Sequence, residues 1–483
     1  MSTSRRERTQ DACPGVLRTH PAADGALARL RLPGGRLAPR AARELAACAR
    51  ELGDGHLELT SRGNVQIRGL ADGAAVALAG RARAVGLLPS DTHERIRNIV
   101  ASPLSGRGPG GRDVRGLVAA LDEGLRADPV LAALPGRVLF AVDDGSGDLE
   151  GIPADLALRA QPGGRTLVCV AGETLALRVP DMVAVPALLA AARAFVDRVA
   201  AGGPAASAWR VAELPDGRDQ LLAAAAGVAA TAGALVADDR PVTPGTSIPG
   251  MSTGRSKRPA SPGARPGAHA QRDGRWALTA LVPLGRLRAD QLDLVAGIAE
   301  RIEEPSVGGD QGTAGAGALV VTPWRSVVLL DLTAAQLADV RTRLAAAGLV
   351  VEEDSGWLGV TSCAGRPGCA RALADVRRDA TRVALAAGAG ARRPALPVHW
   401  SGCGRRCGQP SGAVAEVVAQ PDGYHVRAGS LASSAPFVVT WAPDAPVPVG
   451  AAGDGDREPG VVDWSALVDA VTEARELHRR ETG

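Results

Sequence analysis

The sequence contains few aromatic residues and no long apolar run. Three Phe, seven Trp and one Tyr occur in 483 residues, so any hydrophobic core must consist mainly of Ala, Leu and Val. No stretch of about 18 apolar residues without charges occurs, and residues 1–10 are polar and basic, so neither a membrane span nor a secretory signal is expected. Basic and acidic residues nearly balance, at 55 and 52, which argues against a polybasic protein that binds nucleic acid.

Cysteine and lysine are also scarce. Seven cysteines are too few for a disulfide scaffold of this length, and we expect thiols or metal ligands in a reducing cytoplasm. Lys257 is the only lysine. A GC-rich genome favours arginine codons, whereas the functional explanation is that the guanidinium fork grips carboxylates and phosphates. Composition alone does not separate the two explanations.

The chain divides into two halves that show the same order of features. Residues 238–271 are rich in Pro, Gly, Ser and Thr, and we predict that they form a flexible linker. On each side, an Asp-Gly turn precedes an amphipathic helix and two strands, and each half ends in an Ala- and Leu-rich helix. This order predicts an α+β protein built from a duplicated unit, with chance similarity as the alternative. The predicted domains are two ferredoxin-like half-domains, at 14–75 and 272–345, and two larger α+β domains, at 90–237 and 350–481.

Four of the cysteines form two pairs in the second half. Five residues separate Cys363 from Cys369 and three separate Cys403 from Cys407, and both pairs lie in Gly-rich turns after predicted strands. We also predict that Cys369 opens a helix, whose N-terminal dipole would favour a thiolate. Four thiolates can hold a 4Fe–4S cluster, whereas zinc sites usually have two to four residues between paired ligands. The spacing therefore favours a cluster, with structural zinc and unrelated thiols as alternatives.

The other three cysteines have no partner in the sequence. Cys48 lies on the apolar face of a predicted helix and Cys169 in a predicted strand, so both are expected in the core. Cys13 is expected in a surface loop.

The chain resembles the sirohaem nitrite and sulfite reductase family over most of its length. The resemblance rests on the two cysteine pairs, on Thr60-Ser61-Arg62 and the strand that follows it, and on Arg97-Asn98. Within that family, the segments that contain Cys13, Arg31 and Arg97 are most similar to the branch that acts in aerobic cobalamin synthesis. The resemblance implies two ferredoxin-like half-domains and two nitrite/sulfite reductase-type α+β domains related by pseudo-two-fold symmetry.

That branch implies a reaction and its cofactors. The tetrapyrrole precorrin-3A is hydroxylated with dioxygen and forms a lactone, and an external donor, a ferredoxin or an NADH-dependent reductase, supplies electrons. The resemblance implies a 4Fe–4S cluster on Cys363, Cys369, Cys403 and Cys407. It also implies an additional non-haem iron, whose ligands the sequence does not identify. His399 is a candidate ligand, and the alternative is a strand histidine packed beside the cluster.

Reductases of this family carry two lysines after a Leu-Pro, where they grip a small anion. Here Leu134-Pro135 is followed by Arg137 and an apolar Leu139, which argues against nitrite or sulfite as the substrate.

A tetrapyrrole with many rim carboxylates requires several cations that do not deprotonate, and arginine suits this task. If residues 62–68 form one strand, Arg62, Asn64, Gln66 and Arg68 share a polar face while Val65 and Ile67 face the core. Arg325 is the pseudo-symmetric counterpart in the second half. The candidate substrate-binding residues are Arg31, Arg62, Asn64, Gln66, Arg68, Arg97, Asn98, Arg137 and Arg325.

Two other functions remain open at this stage. One is a sirohaem-dependent nitrite or sulfite reductase, and the other is a non-catalytic, zinc-stabilised tetrapyrrole-binding protein. No Gly-x-Gly-x-x-Gly motif follows a strand and opens a helix, since the glycines of residues 312–317 lie in a predicted loop. We therefore expect no nicotinamide site, and no nucleic-acid or membrane partner.

Overall fold

The computed structural model describes residues 11, 13–108, 111–171, 176–214, 217–233, 265–302, 319–386, 396–410, 412–428, 437–440 and 463–482. No helix in these segments is long and apolar enough to cross a membrane. The strands are β1 (His20–Ala22), β2 (Gly25–Leu30), β3 (His56–Leu59), β4 (Val65–Leu70), β5 (Ile99–Ala101), β6 (Phe140–Asp143), β7 (Leu156–Gln161), β8 (Arg165–Val170), β9 (Ala176–Pro180), β10 (Gly267–Ala270), β11 (Trp276–Leu281), β12 (Arg286–Arg288), β13 (Leu319–Val321), β14 (Ser326–Leu332), β15 (Val360–Ser362), β16 (Val398–Ser401), β17 (Ala415–Gln420), β18 (Gly423–Arg427) and β19 (Phe437–Thr440). The helices are α1 (Pro39–Leu52), α2 (Ala74–Ala84), α3 (Arg115–Ala127), α4 (Asp181–Ala200), α5 (Gly217–Thr231), α6 (Ala289–Ala299), α7 (Ala334–Ala346), α8 (Val376–Ala386) and α9 (Trp464–Thr482).

Contacts within the chain define two compact units. The first unit contains the described residues of 11–20, 26–282 and 286–351, and the second contains those of 21–25, 283–285 and 352–482. The first unit holds both ferredoxin-like half-domains and the first α+β domain. The second unit consists mainly of the second α+β domain.

Each half-domain places helices on one face of an antiparallel sheet. The strand orders are β1-β2-β4-β3-β12 in the first sheet and β10-β11-β14-β13 in the second. Helix α1 has Pro39 in its first turn, where proline costs no hydrogen bond, and buries Ala41, Leu45 and Cys48 at steps of three and four residues. This helix packs against the equivalent helix α6 of the other half-domain.

The two half-domains exchange backbone contacts reciprocally. Strand β12 of the second half-domain pairs with β3 of the first, and Arg36 of the first half-domain forms a bridge to Val320 in β13 of the second. Gly35 has φ +71°, and a Cβ atom there would lie 2.0 Å from the carbonyl oxygen of Val321. Only glycine allows so close an approach. This reciprocal exchange is what a pseudo-two-fold relation between the half-domains predicts.

The two α+β domains have the same topology. Their sheets have the orders β5-β6-β7-β8-β9 and β15-β16-β17-β18-β19. In both sheets the first two strand pairs are parallel and the last two antiparallel. A helix, α3 or α8, connects the first two strands, and a long helix, α4 or α9, follows the fifth. The prediction of a duplicated α+β unit is therefore confirmed.

The end of the predicted linker differs from the expectation. Residues 238–264 lie outside the described residues, but Gly267–Ala270 form strand β10, which pairs antiparallel with β11 from Gly267↔Thr279 to Ala270↔Trp276. The composition of this segment predicted a loop because small residues give little hydrophobic signal. The strand forms because its backbone groups find partners on β11.

Candidate functional site

A row of polar side chains crosses the first sheet. Arg29 on β2, Gln66 on β4 and Glu58 on β3 are cross-strand partners. The Nε of Arg29 donates to Gln66 Oε1 at 2.8 Å, and Gln66 Nε2 donates to Glu58 at 3.1 Å. On the opposite face, Ile67 is buried in the core. The expected alternation of polar and apolar faces is thus found from residue 65 onward.

Before residue 65 the chain turns, and the predicted strand face is wrong there. Residues 60–64 form a tight turn in which Thr60 Oγ1 accepts hydrogen bonds from the backbone amides of Arg62 (3.3 Å) and Asn64 (3.1 Å). Gly63 in this turn has φ +65°. Arg62 and Asn64 therefore do not extend the face of Gln66 and Arg68. In the turn, Arg62 contacts Gly136 and Asn64 contacts Asn98.

Arg29 and Arg62, which are half-buried, and Arg31, which is buried, form a group of cations that makes no direct ion pair. Arg31 is only 2% exposed, its Nη2 and Nε donate to the carbonyls of Pro14 (3.1 Å) and Arg95 (3.3 Å), and its Nη1 has no hydrogen-bond partner. Arg62 donates to the carbonyl of Gly136 at 3.3 Å. No carboxylate of the described chain forms a direct ion pair with any of the three. Asp11 and Glu58 act on Arg29, Glu94 on Arg31 and Asp155 on Arg62 through charge at longer range.

Burial lowers the pKa of all three guanidinium groups. For Arg31 the pKa falls to about 9, first because of burial and then because of the charge of Arg29. For Arg29 and Arg62 burial is again the largest cause, and the neighbouring Cys13 acts in the opposite direction. Three neighbouring cations without direct ion pairs repel one another, so an anion with several carboxylates would stabilise this group.

Sequence reasoning missed Arg29 and Cys13 as members of the site. Arg29 precedes Arg31 by two residues, and this spacing on one strand face was the available signal. Cys13 is half-buried and hydrogen-bonded by Arg29, so it lies in the site and not in a free surface loop. Its backbone amide donates to Asp11 Oδ1 at 3.1 Å.

Several other candidates are engaged in structural contacts. Arg97 makes a two-pronged ion pair with Asp122, at 2.5 and 3.0 Å. Asn64 and Asn98 are fully buried. Asn64 Nδ2 donates to Asn98 Oδ1 at 3.1 Å, and Asn98 Nδ2 donates to the carbonyl of Gly136 at 2.8 Å. These contacts fix the chain around the arginines without presenting a free donor to a ligand.

Arg68 and Arg137 have acidic neighbours. Arg68 Nε lies 3.8 Å from Glu58. Arg137 stacks over the ring of Trp209 at 4.8 Å and lies 3.8 Å from Asp11, with 48% of its side chain exposed. Leu139, at the position of the second missing lysine, is buried.

Arg325 lies in the turn that matches residues 60–64 in the second half-domain. The amide of Thr322 donates to the carbonyl of Ser326 at 2.9 Å, as Thr60 does to Asn64 at 2.9 Å. By this register Arg325, with φ +59°, takes the place of Gly63, so it is not the counterpart of Arg62. Burial lowers the pKa of Arg325, and the charge of Glu58 opposes that shift.

In the second unit, two parallel strands present the cysteine loops. Strand β15 leads to Cys363 and strand β16 to Cys403. The amide of Cys363 donates to the carbonyl of Trp400 at 2.9 Å, and the amide of Gly402 donates to Cys363 Sγ at 3.2 Å. The carboxyl ends of these strands therefore bring the two cysteine pairs together.

The predicted helix at Cys369 is wrong. Helix α8 begins at Val376, and Cys369 lies in a turn in which the amide of Ala372 donates to its carbonyl at 3.0 Å. The amide of Leu373 instead donates to the carbonyl of Gly402 at 2.8 Å. In a helix that began at Cys369, the amide of Leu373 would donate to the carbonyl of Cys369. Because this amide bonds Gly402 instead, no helix begins at Cys369 and no helix dipole acts on its thiol.

The four thiols lie near enough for three of them to influence the pKa of the fourth. Burial, and then the charges of Cys363, Cys403 and Cys369, raise the pKa of Cys407. Yet no three cysteine sulfurs of the described residues lie within 4.8 Å of one another. Tetrahedral zinc, with Zn–S bonds of about 2.3 Å, places its sulfurs only about 3.8 Å apart. A 4Fe–4S cluster takes four thiolate ligands, the number that these two cysteine pairs offer.

The remaining histidine and thiols have other surroundings. His399 presents both ring nitrogens to protein oxygens, at 2.9 Å from Thr361 Oγ1 and 3.2 Å from the carbonyl of Cys407, which leaves neither nitrogen for iron. Cys48 and Cys169 are buried as predicted, and burial raises the pKa of Cys48 to about 11.

Known proteins resemble this chain in sequence and fold. Residues 20–85 and 269–347 match the nitrite/sulfite reductase ferredoxin-like half domain. Precorrin-3B synthase of Sinorhizobium sp is 25% identical over 445 residues, which cover 89% of this chain and 85% of that protein. Ferredoxin–nitrite reductase of Synechococcus elongatus is 26% identical over 412 residues, 80% of this chain and 74% of that protein. The structure of Mycobacterium tuberculosis NirA protein has the same fold, with a TM-score of 0.58 at 20% identity over 83% of this chain and 74% of that one.

Proposed function

Because this chain carries two nitrite/sulfite reductase ferredoxin-like half-domains and is similar to a precorrin-3B synthase along most of its length, we propose that it is an iron–sulfur monooxygenase of aerobic cobalamin synthesis. Its substrates in this proposal are precorrin-3A and dioxygen. The product is precorrin-3B, formed by hydroxylation of the ring and closure of a lactone.

The group of Arg29, Arg31 and Arg62 is the observation that carries this proposal. All three are cations held by neutral carbonyl or amide oxygens and by the Cys13 thiol, without an ion-paired carboxylate. A tetrapyrrole with several rim carboxylates supplies the missing negative charges, and each guanidinium is able to bind a carboxylate through two parallel hydrogen bonds. In this proposal the arginines bind and orient the substrate, and Asn64 and Asn98 hold the chain around them.

The surroundings of residues 137–139 favour a tetrapyrrole over nitrite or sulfite as the substrate. Arg137 is placed between Asp11 and Trp209, so its charge is already partly balanced. The backbone amide of Leu139 donates to Asp155 at 2.9 Å and its side chain lies in an apolar cluster. Neither residue forms the two-cation clamp that a small anion requires.

Cys363, Cys369, Cys403 and Cys407 would hold the cluster, which supplies single electrons when it is bound. Cys407 is exposed, and residues 363–372 and 403–408 contain Arg366, Arg371 and Arg405 but no acidic residue; Arg406 in the second segment is ion-paired with Glu416. We propose that an external donor, a ferredoxin or an NADH-dependent reductase, delivers electrons at this surface. Its association would weaken as salt concentration rises.

The decisive experiment incubates anaerobically purified protein with precorrin-3A, a reductant and isotopically labelled dioxygen. The expected result is one labelled oxygen atom in a lactone-bearing product. Four iron and four sulfide per chain are expected, whereas protein with one stoichiometric zinc and no sulfide would support the zinc-stabilised alternative.

A sirohaem-dependent nitrite or sulfite reductase is the second candidate. It is favoured by the similarity to ferredoxin–nitrite reductase and by the same arginines, since sirohaem also carries rim carboxylates. Stoichiometric sirohaem in the purified protein, together with nitrite or sulfite reduction and no label in the tetrapyrrole, would establish this candidate instead.

A pair of arginine variants tests the binding group directly. Arg62→Ala should weaken tetrapyrrole binding by about tenfold to a hundredfold without loss of stability, because a charge-assisted bond to the substrate is lost and a half-buried charge without an ion pair is removed. Arg97→Ala is the matched control. It should lower stability by about 1–3 kcal/mol, since Asp122 then keeps only Arg126, but should leave binding nearly unchanged. Titration of tetrapyrrole fluorescence and thermal melting measure the two effects, and equal affinities for Arg62→Ala and the unmodified protein would remove Arg62 from the site.

A further inference from the structure

Three polar residues form a row on one face of the cysteine-bearing sheet. Thr361 on β15, His399 on β16 and Glu416 on β17 are neighbours in the parallel strand pairing. The next residue of β16, Trp400, points to the opposite face and packs edge-on against Tyr424 in the core. The row of Thr361, His399 and Glu416 therefore faces the side that the core does not use.

The loop that carries Cys403 and Cys407 attaches to this row. His399 Nε2 lies 3.2 Å from the carbonyl oxygen of Cys407. Glu416 accepts hydrogen bonds from Arg406 Nε at 3.0 Å and Gln409 Nε2 at 2.7 Å. His399 is thus the member of the row that touches a cysteine of the pair itself.

The proton on His399 can be assigned from its partners. The carbonyl of Cys407 is only an acceptor, so Nε2 must carry the hydrogen. Nδ1 lies 2.9 Å from the hydroxyl of Thr361, whose single hydrogen has a second acceptor in the carbonyl of Val398 at 3.1 Å. Thr361 lies two residues before Cys363, so one buried ring connects the segments of both cysteine pairs; His399 is only 1% exposed.

We propose that His399 is a positioning residue that fixes the Cys403–Cys407 loop against the Cys363 segment. The need for such a contact follows from the loop itself. Gly404 and Gly408 are exposed and Arg406 adopts φ +49°. Glu416 holds the side chains of Arg406 and Gln409, whereas the bond from His399 reaches the backbone of Cys407 itself. Cys407 is also exposed, so a shift of its backbone would open the proposed cluster to solvent and oxidants.

The inference rests on the proposed cluster, and three variants test it. His399→Leu removes the donor, and should increase the rate at which air bleaches the cluster by about tenfold. His399→Gln places an amide donor near the position of Nε2 and should restore most of the stability of the cluster. Thr361→Val leaves the ring in place but removes the hydroxyl that orients it, and should give an intermediate rate.

A second readout uses the iron-free protein. There, His399→Leu should increase the rate of iodoacetamide alkylation at Cys407 relative to Cys363, measured by peptide mass spectrometry. His425→Leu is the matched control in the same sheet, because His425 pairs with Asp422 at 2.9 Å, and it should change neither rate.

The outcomes separate the inference from the proposed function. If the unmodified protein holds four iron and four sulfide but His399→Leu bleaches and alkylates as the unmodified protein does, the positioning role is wrong. Equal bleaching rates in His399→Gln and His399→Leu would also overturn it, because the effect would not depend on the donor. If the unmodified protein binds no cluster, the proposed function fails, whereas the alkylation of the iron-free protein still decides whether His399 holds the loop.

Discussion

The two α+β domains have equivalent hydrogen bonds after their first strands, where the first domain has a serine and the second a cysteine. After β5 the amide of Ser102 donates to the carbonyl of Val142 at 3.2 Å, and the amide of Asp144 donates to Ser102 Oγ at 3.0 Å. After β15 the amide of Cys363 donates to the carbonyl of Trp400, and the amide of Gly402 donates to Cys363 Sγ. The loop geometry is thus a property of the duplicated scaffold, and the exchange of oxygen for sulfur supplies the proposed iron ligand.

The packing beside this hydrogen bond is reversed between the domains. In the first domain Asp144 carries a side chain and the facing residue is glycine, since a Cβ on Gly111 would lie 2.1 Å from Asp144 Oδ2. In the second domain Gly402 faces Ala372, nine residues after Cys363, as Gly111 is nine residues after Ser102. One member of each facing pair must be small. In the second domain the small member is Gly402, at the end of the strand next to the cysteines.

The largest expected effect comes from making the second domain resemble the first. Cys363→Ser should abolish the proposed cluster while the fold is kept, because serine at this position already accepts the equivalent hydrogen bond in the first domain. Iron and sulfide analysis, together with the visible spectrum, measures the loss, and circular dichroism measures the fold. Cys169→Ser, in a buried strand of the first domain, is the control and should retain the iron. A cluster of normal spectrum in Cys363→Ser would show that this thiol is not a ligand.

The reversed packing predicts a smaller effect. Gly402→Ala should lower the free energy of unfolding by about 1–3 kcal/mol, because its Cβ would lie 2.7 Å from the Cβ of Ala372. Gly404→Ala, in the same loop, is the matched control, since no atom lies within 4 Å of its added Cβ. The double variant Gly402→Ala with Ala372→Gly should recover part of the loss. If Gly402→Ala and Gly404→Ala melt at the same temperature, Gly402 and Ala372 do not pack closely in solution.

The sequence predicted the elements that local patterns encode and failed where distant contacts decide. The duplication, the strands that carry the cysteine pairs and the buried Cys48 all follow from periodicity and spacing. The helix expected at Cys369 does not form, because Leu373 and Arg366 use their amides for bonds to Gly402 and Ala374. Likewise, Arg97 has the same sequence signal as Arg62, and only the position of Asp122 in space distinguishes an ion-paired arginine from one without a carboxylate.

The smallest expected effect concerns a polar pair at the core of the second domain that the first domain does not share. Tyr424, the only tyrosine, donates to Asp379 on α8 at 2.6 Å, whereas the equivalent strand position in the first domain is Thr166, which bonds Asp181 at 2.8 Å. Burial raises the pKa of Asp379, and the hydroxyl of Tyr424 opposes that shift. A carboxyl whose pKa is raised by folding contributes stability below the pKa of the unfolded chain, about 3.9, and loses it as pH rises through the folded pKa.

Tyr424→Phe removes the donor, so the pKa of Asp379 should rise further and the loss of stability should extend to higher pH. The variant should be destabilised by about 1 kcal/mol more at pH 8 than at pH 5, because the ionised carboxylate depends most on the lost hydrogen bond. Thermal melting at the two pH values measures this difference. In an Asp379→Asn background, Tyr424→Phe should cost the same at both pH values. An equal cost at both pH values in the original background would mean that Asp379 does not ionise over this range, and that the tyrosine serves only to fill the core beside Trp400.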